Sequence, residues 1–332
     1  MTDSPIIVIG SNSFSGASFC SHMLKQDKKI IAISRSEEPV NALLPYKWLD
    51  HQTQNLAFKQ LDLNYHLDEI LALIKQENVG TVYNFAAQSM VGQSWEYPEH
   101  WFMTNAVSTI KLHNALRQLD SLDKYIHIST PEVYGSCEGL VPEHRNYQPS
   151  TPYAVSRAAA DMSLHTFSDV YDFPVVFTRA ANVFGEGQQL YRIIPKTILS
   201  ILLGKKLPLH GGGHSTRSFI HIDDVSNATQ LIGEQGRNGE IYHISTERMI
   251  TIRAIVEMLC KMLNVPFEQT CEITDDRLGK DAAYLLETQK IRSELQWQDS
   301  ISLEDGLART IDWVKNNLDT LKTQPHNYIH KA

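Results

Sequence analysis

The chain has 332 residues, of which 42 % are apolar and 20 % charged, and its net charge is −8. This composition is typical of a water-soluble globular protein, and the length predicts one large domain or two closely joined ones. The acidic balance argues against a general nucleic-acid binder or a protein of anionic membranes, although it leaves room for a local basic pocket. No window predicts a membrane span, and the start lacks signal-peptide features. Because four widely spaced cysteines match neither a disulfide framework nor a metal site, we expect reduced thiols and a cytoplasmic location.

The first half of the chain alternates short apolar runs with helical patterns. Runs that are apolar almost throughout are typical of strands buried on both faces of a parallel sheet. They cover 5–10, 29–34, 81–87, 124–130 and 174–180. Helix-like stretches lie between them at 14–26, 66–78 and 106–119. The repeated strand–helix order predicts an α/β fold with a doubly wound, Rossmann-type parallel sheet and right-handed crossovers.

The pattern loosens in the second half. One helix, a Gly-rich turn and a late strand at 240–245 come first, and the remainder is mostly helical. We therefore predict a dinucleotide-binding Rossmann domain over 1–185, completed by late strands from about 218–246. Residues 186–332 would form a smaller, mainly helical substrate-binding lobe.

The turn after the first strand reads GSNSFSG (10–16) and opens a helix. Backbone N–H groups and the dipole at such a helix N-terminus suit the pyrophosphate of a dinucleotide. Two glycines hold the outer positions of the motif, and a serine stands where a middle glycine is usual. A turn that only packs the helix against the sheet is the alternative. The candidate cofactor residues here are Gly10, Ser13, Phe14, Ser15 and Gly16.

Residues after the second and third strands bear on which dinucleotide is bound. Ser34, Arg35 and Ser36 stand where an acid would bind the 2′-hydroxyl of NAD, and a Ser/Arg pair suits the 2′-phosphate of NADP. We therefore favour NADP, with NAD as the alternative, and Arg35 is otherwise a solvated loop residue. Asp62 follows a short strand, where its carboxylate would reach the adenine amino group or serve as a plain turn residue. Further cofactor candidates are Leu63, Ala86 and Ala87.

A helix that opens near STPYAVSR (150–157) carries a candidate proton-transfer group. Tyr153 and Arg157 are four residues apart and so lie on one helical face. A neighbouring cation lowers the pKa of a tyrosine, which would let Tyr153 act as acid and base near neutral pH. Lysine is the expected partner in Tyr-x-x-x-Lys pairs, so Arg157 is a departure, although it supplies positive charge and a grip on ribose hydroxyls. An ordinary surface pair is the alternative.

Motifs along nearly the whole chain occur in an order that resembles the extended short-chain dehydrogenase/reductase family. Within it, the sequence is most similar to nucleotide-sugar 4,6-dehydratases acting on dTDP-glucose, CDP-glucose or GDP-mannose. The motifs are the Gly-bearing turn, NFAAQSMV, STPEVYG, TPYAVSR, RAANVFGEGQQ, GGGHSTRSFIHIDDV and DRLGKDAAYLLETQKIRSELQW. The ordered set is far more specific than any one of its members.

The resemblance implies a catalytic role for three residues. The counterpart of Thr130 bonds the sugar 4-hydroxyl, and the counterpart of Tyr153 removes its proton while a hydride passes from C4 to the nicotinamide. A carboxylate at the position of Glu132 abstracts the C5 hydrogen, water leaves from C6, and the hydride returns to C6. The cofactor is regenerated within one turnover.

Pro131 is the second departure from the family pattern. In dTDP-glucose-type enzymes an aspartate stands there and protonates the leaving hydroxyl, whereas GDP-mannose-type enzymes place a serine and use the glutamate for both proton transfers. Because proline carries no acid, the resemblance implies that Glu132 is base and then acid. The fixed φ of Pro131 also suits aiming Glu132 into the site.

The same resemblance implies contacts to the nucleotide sugar. The bidentate fork of arginine suits a diphosphate in an acidic protein, and a surface salt bridge is the alternative for each arginine. The substrate candidates, besides Thr130 and Glu132, are Ser89, Asn182, Arg192, Arg217 and Arg277. No metal site is predicted.

Other functions remain open to this sequence. A 4-epimerase or a UDP-glucuronate decarboxylase of the same fold would also use the tyrosine and an oxidised C4. Epimerases typically lack the acid found at Glu132, which favours dehydration, whereas the sequence excludes decarboxylases only weakly. A non-catalytic sensor of NADP or a sugar nucleotide would explain the departures at Ser13, Pro131 and Arg157, but the catalytic threonine, glutamate and tyrosine all keep their spacing.

Helices over 100–118 and 152–170 carry apolar residues beyond one stripe. Relatives dimerise through the equivalent pair, so the resemblance implies a homodimer with a four-helix interface. It also implies a role in polysaccharide biosynthesis. The sequence fixes neither the nucleotide nor the hexose.

Overall fold

A computed structural model describes residues 4–50, 52–137, 139–275 and 285–331. Its strands, in chain order, are β1 (Ile6–Ile9), β2 (Ile30–Ser34), β3 (Leu56–Gln60), β4 (Thr81–Asn84), β5 (Lys124–Ile128), β6 (Leu140–Val141), β7 (Val175–Ala180), β8 (Asn182–Phe184), β9 (Leu207–His210), β10 (Thr216–His221), β11 (Ile241–Ile244), β12 (Met249–Thr251), β13 (Cys271–Thr274) and β14 (Leu285–Leu286).

The helices, in chain order, are α1 (Phe14–Leu24), α2 (Leu67–Gln76), α3 (Pro98–Trp101), α4 (Thr109–Leu116), α5 (Pro152–Tyr171), α6 (Ile193–Leu202), α7 (Ile222–Gln235), α8 (Ile252–Met262), α9 (Phe267–Thr270), α10 (Gln289–Leu295), α11 (Leu303–Asn316) and α12 (Leu318–Leu321). A π-helical segment, Phe102–Ser108, joins α3 to α4. Within the described residues, no helix is both long and apolar enough to cross a membrane.

Seven parallel strands form the central sheet, in the order β11-β7-β5-β4-β1-β2-β3. This arrangement confirms the predicted doubly wound α/β fold. Successive side chains of a strand point to opposite faces of the sheet. Val8 accordingly packs in the hydrophobic cluster under α1 and α7, while Ile7 and Ile9 pack in the cluster under α2, α4 and α5. Both faces are therefore covered, which is why these strands read as continuous apolar runs.

The second half of the chain contributes to both the sheet and a smaller lobe. The late strand β11 joins the central sheet beside β7, whereas β10 pairs with β8 and β12 in a separate three-stranded sheet. Helices α6, α8 and α11 enclose a third hydrophobic cluster in the lobe. The division of the chain at residue 185 stays a prediction. The carboxyl ends of β1 to β5 meet at one edge of the sheet, which is where open α/β sheets bind their ligands.

Candidate active site

The turn between β1 and α1 is closely packed against the end of β4. Gly10 has φ +88°, and a Cβ there would lie 2.6 Å from the backbone nitrogen of Ala86. A Cβ on Gly16 would lie 2.3 Å from the carbonyl oxygen of Gly10. Ser13 caps α1: its hydroxyl donates to the Gly10 carbonyl (2.7 Å) and accepts from the Gly16 N–H (3.1 Å). The serine therefore stabilises the turn at the place of the missing glycine, and the helix N-terminus beside the cavity fits a pyrophosphate.

A cavity of about 310 Å³ lies at the carboxyl ends of β1 to β4. Most of the predicted cofactor residues line it: Gly10, Ser13, Ser34, Arg35, Ser36, Asp62, Leu63, Ala86 and Ala87. Phe14 is instead buried in the core beneath α1, and Ser15 is half-buried in the first turn of that helix. Sequence reasoning missed other residues of the cavity wall, notably Asn12, Glu37 and Lys331.

Two of the predicted cofactor contacts have partners within the chain. The Asp62 carboxylate accepts from the N–H of Asn64 (2.8 Å), so it caps its own turn while it lines the cavity. A contact between Asp62 and adenine stays a prediction. The Arg35 guanidinium donates to the carbonyl of Lys331 (3.2 Å), and the Lys331 ammonium donates to the Ser36 hydroxyl (3.2 Å).

The segment STPEVYG forms a 3₁₀ turn, Pro131–Tyr134, directly after β5. Thr130 caps it by accepting from the Glu132 N–H (3.3 Å), and Pro131 fills the first position, where its missing N–H costs nothing. Gly135 ends the turn at φ +70°, where a Cβ would lie 1.9 Å from the Gln148 carbonyl oxygen. The turn thus fixes Glu132 at the ligand-binding edge of the sheet.

Tyr153 lies beside this turn, in the first turn of α5. Thr151 caps the helix by accepting from the Ala154 N–H (3.2 Å). The Tyr153 side chain is buried, and the side chain of Thr130 and the charge of Glu132 both act on the pKa of its hydroxyl, so both residues lie close to it. The structure thus brings the three predicted catalytic residues together.

The pKa of Tyr153 is raised, so the predicted lowering of this pKa is wrong. Burial makes the largest contribution, and the negative charge of Glu132 adds to it. The charges of Arg157 and Arg192 and the hydrogen bond to Thr130 act in the opposite direction, but they do not overcome burial.

Arg157 is buried one helical turn beyond Tyr153. Its guanidinium donates to the carbonyl of Ile128, at the end of β5, and lies 3.3 Å from His127 Nε2. Burial is the main reason why the pKa of His127 is lowered. This placement excludes the alternative of an ordinary surface pair.

Asp161, one turn further along α5, supplies the negative charge of this region. Its carboxylate accepts from Arg179 (2.8 Å) and Ser129 (2.6 Å) and lies 3.3 Å from His127 Nε2. Burial alone would raise the pKa of Asp161, but the contacts with His127 and the two arginines hold it well below its usual range. A buried charge cluster of Arg157, Asp161, Arg179 and His127 therefore lies behind Tyr153.

Asn105 is a site residue that sequence reasoning missed. It is buried in the π-helical segment, accepts from the Gln88 N–H (2.8 Å), and donates to the Gln88 carbonyl (3.0 Å) and the Ser156 hydroxyl (2.9 Å). The Ser156 hydroxyl in turn donates to the carbonyl of Tyr153 (2.7 Å). Asn105 thus ties the loop after β4 to the helix that carries Tyr153. π-Helical turns are frequent at functional sites, but the helical pattern of the sequence gives no sign of one here.

The family model described as GDP-mannose 4,6 dehydratase matches residues 7–310. The chain belongs to this family. A Trifunctional UDP-glucose 4,6-dehydratase/UDP-4-keto-6-deoxy-D-glucose 3,5-epimerase/UDP-4-keto-L-rhamnose-reductase RHM2 of Arabidopsis thaliana is 30 % identical, over 94 % of this chain and 47 % of the relative. The chain thus spans about half the length of such plant relatives. A dTDP-glucose 4,6-dehydratase of Streptomyces antibioticus is 30 % identical over 96 % of both chains.

Solved structures of similar proteins lead to the same family. The dTDP-glucose 4,6-dehydratase of Streptomyces venezuelae, solved with NAD bound, is 29 % identical, covers 95 % of this chain and 98 % of its own, and has a TM-score of 0.87. The enzyme of that name from Bacillus anthracis, in complex with NAD, is 28 % identical with a TM-score of 0.86, and the match covers 96 % and 99 % of the two chains. The predicted resemblance to nucleotide-sugar 4,6-dehydratases is confirmed.

The predicted substrate residues of this family member lie in different settings. Arg192 is half-exposed at the start of α6, with its guanidinium carbon 5.5 Å from the Tyr191 ring centroid, and its charge acts on Tyr153. Ser89 and Asn182 are exposed, and Arg217 is half-exposed on β10. Arg277 lies outside the described residues. Within the described ranges, no group of three or more His, Cys, Asp and Glu side chains is arranged to hold a metal ion.

Proposed function

We propose that the protein is a nucleotide-sugar 4,6-dehydratase that converts an NDP-hexose to an NDP-4-keto-6-deoxyhexose with a bound nicotinamide cofactor. The observation that carries this proposal is the meeting of Thr130, Glu132 and Tyr153 just beyond the carboxyl end of β5, the strand next to β4. A tyrosine and a carboxylate fixed side by side supply the two proton transfers that the reaction needs. The family and its structurally similar members support the same reaction.

Each catalytic residue would move a proton at a defined atom. When bound, a nicotinamide would supply a reversible hydride acceptor for the sugar. The Tyr153 oxygen takes the proton of the 4-hydroxyl, which Thr130 orients, and later returns it to solvent. A Glu132 oxygen takes the C5 proton and passes it to the hydroxyl that leaves C6 as water, and C5 is finally reprotonated from solvent. The sum is the loss of one water, with the cofactor unchanged.

Glu132 would act as the single acid and base of the elimination. Its neighbour Pro131 is buried and cannot donate a proton. Glu132 is half-buried on a short turn. The ring of Pro131 fixes φ at the start of this turn, and Gly135 ends it at a positive φ. One carboxylate held in this way can serve both steps in succession.

Positively charged side chains would hold the substrate diphosphate. Arg192 is the best supported as a residue of this site, because its charge acts on Tyr153; its contact with the diphosphate rests on the family resemblance. Arg217, Ser89 and Asn182 are further proposals that rest on the family resemblance. A charge-neutralising substitution of Arg192 should raise KM more than it lowers kcat.

The cofactor is proposed to be NADP, with NAD as the alternative. Lys331 donates to the Ser36 hydroxyl and Arg35 donates to the Lys331 carbonyl, so two positively charged residues meet at the end of β2, which favours a 2′-phosphate. In contrast, the dehydratases of Streptomyces venezuelae and Bacillus anthracis were solved with NAD. Titration of the protein with both dinucleotides decides: tighter binding of NADP, lost in Arg35→Ala, supports the proposal, and tighter binding of NAD overturns it.

We also propose a homodimer in the cytoplasm. The π-helical segment and α5 pack together and leave apolar side chains between 37 % and 57 % exposed: Phe102, Met103, Val107, Val155 and Met162. A second copy that adds the same two helices would cover these faces and complete a four-helix interface. Four free cysteines support a reducing compartment.

Mass spectrometry of the products tests the proposed reaction. The protein is incubated with dTDP-, CDP-, UDP- and GDP-linked hexoses and with UDP-glucuronate, and NADP or NAD is added. Loss of one water establishes the dehydratase and identifies the nucleotide. Loss of carbon dioxide would indicate a decarboxylase, and unchanged mass would leave an epimerase or a sensor.

Two variants separate the chemical steps. Glu132→Gln should lower dehydration by about 10²- to 10⁴-fold and still allow oxidation at C4, seen as the absorbance of reduced nicotinamide. Tyr153→Phe should lose both steps while it keeps cofactor binding. Full dehydration by Glu132→Gln would contradict the role given to this carboxylate.

A further inference from the structure

Residues 325–331, which we name the strap, cross from the helical lobe to the mouth of the cofactor cavity. The strap follows α12, in the lobe, and the Tyr328 ring makes an edge contact with the Tyr191 ring (centroids 5.6 Å apart, planes at 82°). Tyr191 precedes Arg192, so this end of the strap lies beside the proposed substrate site. The charges of Arg35 and Arg192 both act on Tyr328. The strap therefore lies between the cofactor side and the substrate side.

A stack of rings holds the C-terminal part of the strap. His330 lies parallel to Tyr97 (5.3 Å, 2°) and to Trp101 (5.0 Å, 11°), and its Nε2 is hydrogen-bonded to His100 Nδ1 (2.8 Å). These partners lie at the start of the helical stretch that also carries Asn105. Because stacked rings have specific geometry, this contact fixes the path of the strap.

Lys331 brings the end of the strap onto the cofactor cavity. Its carbonyl accepts from Gln88 Nε2 (2.7 Å) and from Arg35 (3.2 Å), and its ammonium donates to the Ser36 hydroxyl. Lys331 therefore links the end of β2 to the loop after β4, across the opening of the cavity. A cavity of about 310 Å³ remains beneath it, so the strap covers the site without filling it.

We propose that the strap is a lid that closes over the adenosine half of the bound dinucleotide and slows its release. The proposal rests on the proposed function in one respect: a reaction that regenerates its cofactor in every turnover has no need to exchange it. Burial of the dinucleotide under a lid is therefore compatible with turnover. An enzyme that released its reduced cofactor in each cycle would be slowed by the same contacts.

Cofactor release from the full chain tests the lid. Protein loaded with reduced nicotinamide dinucleotide is mixed with excess oxidised dinucleotide, and loss of the bound fluorescence gives the dissociation rate. A variant that lacks residues 325–332 and the variant His330→Ala should both release the cofactor at least about ten-fold faster than the parent chain. Ile329→Ala is the matched control, because Ile329 lies in the strap but is 62 % exposed, and its release rate should not change.

Two results would overturn the lid. An unchanged release rate in both the shortened chain and His330→Ala would show that the strap does not retain the cofactor. Tighter binding or slower release in the shortened chain would show that the strap competes with the cofactor. Thermal unfolding of each variant shows whether it is folded. If the shortened chain does not fold, the release rate of His330→Ala still tests the lid. The release rate is independent of turnover, so failure of the proposed reaction on every nucleotide sugar would leave this test intact.

Discussion

Neutralising Asp161 should destabilise the protein strongly, because this carboxylate is the buried counter-charge of the cluster behind Tyr153. Its side chain is fully buried and accepts from Arg179 at 2.8 Å. Asp161→Asn keeps the shape but leaves two buried guanidinium groups without a negative partner. Breaking a buried ion pair in this way costs about 3–5 kcal/mol. At about 2.1 cal/mol/K per residue, unfolding of 332 residues has an entropy of about 0.7 kcal/mol/K, so the melting temperature should fall by about 4–7 °C.

Thermal unfolding, followed by circular dichroism at pH 7, measures this change. The double variant Asp161→Asn/Arg179→Met also removes the guanidinium that Asp161 contacts directly, leaves only Arg157 without a negative partner, and should recover part of the loss. Arg145→Ala is the control for an exposed pair: Arg145 and Asp169 are 3.0 Å apart with about half of each side chain exposed, so its loss should cost less than about 1 kcal/mol. A melting temperature of Asp161→Asn within about 1 °C of the parent, or no recovery in the double variant, would refute the reasoning.

Three further predictions concern the turn, the interface and acid stability. Gly135→Ala should lower turnover at least ten-fold and lower the free energy of unfolding by about 2 kcal/mol or more, because the added Cβ would lie 1.9 Å from the Gln148 carbonyl oxygen. Gly139 also has a positive φ, but a Cβ there would meet nothing within 4 Å, so Gly139→Ala should keep its turnover. Met162→Lys should weaken the proposed dimer in light scattering, whereas Met262→Lys, on a different helix, should leave the mass unchanged. Although burial opposes the shift, the hydrogen bond to His221 and the charge of Arg309 lower the pKa of Glu186 from 4.5 to about 2, so Glu186→Gln should lose stability at pH 7. The difference in melting temperature between this variant and the parent should become smaller as the pH falls from 4.5 towards 2. A difference that stays constant over this range would contradict the prediction.

The fold was predictable because its signals are local. Each parallel strand is a short apolar run, and the residues that line the cofactor cavity directly follow the ends of these runs in the sequence. The same holds for STPEVYG, where the cap, proline and final glycine of one 3₁₀ turn occur within seven residues. Features that the sequence indicates within a few residues are therefore present in the structure.

Contacts between distant segments could not be predicted in this way. Lys331 is 295 residues from Ser36 and 243 from Gln88, and no pattern in the sequence links them. Asn105 lies in a π-helical segment within a stretch that the sequence predicts only as helical. The direction of the Tyr153 pKa shift failed for a related reason: the sequence shows the neighbouring cation, whereas burial, which makes the larger contribution, depends on the whole fold.

The buried cluster explains how an arginine can stand where lysine is expected. The Arg157 guanidinium donates to the Ile128 carbonyl and lies beside His127, so this arginine is held within the fold and keeps its positive charge there. Because burial favours a neutral His127, the cluster contains two guanidinium charges against the one carboxylate of Asp161. The surplus positive charge lies one turn from Tyr153, where it opposes the effects of burial and of Glu132 on the pKa of the phenol. The effect of an arginine at position 157 on proton transfer by Tyr153 therefore depends on Asp161 and His127 as well.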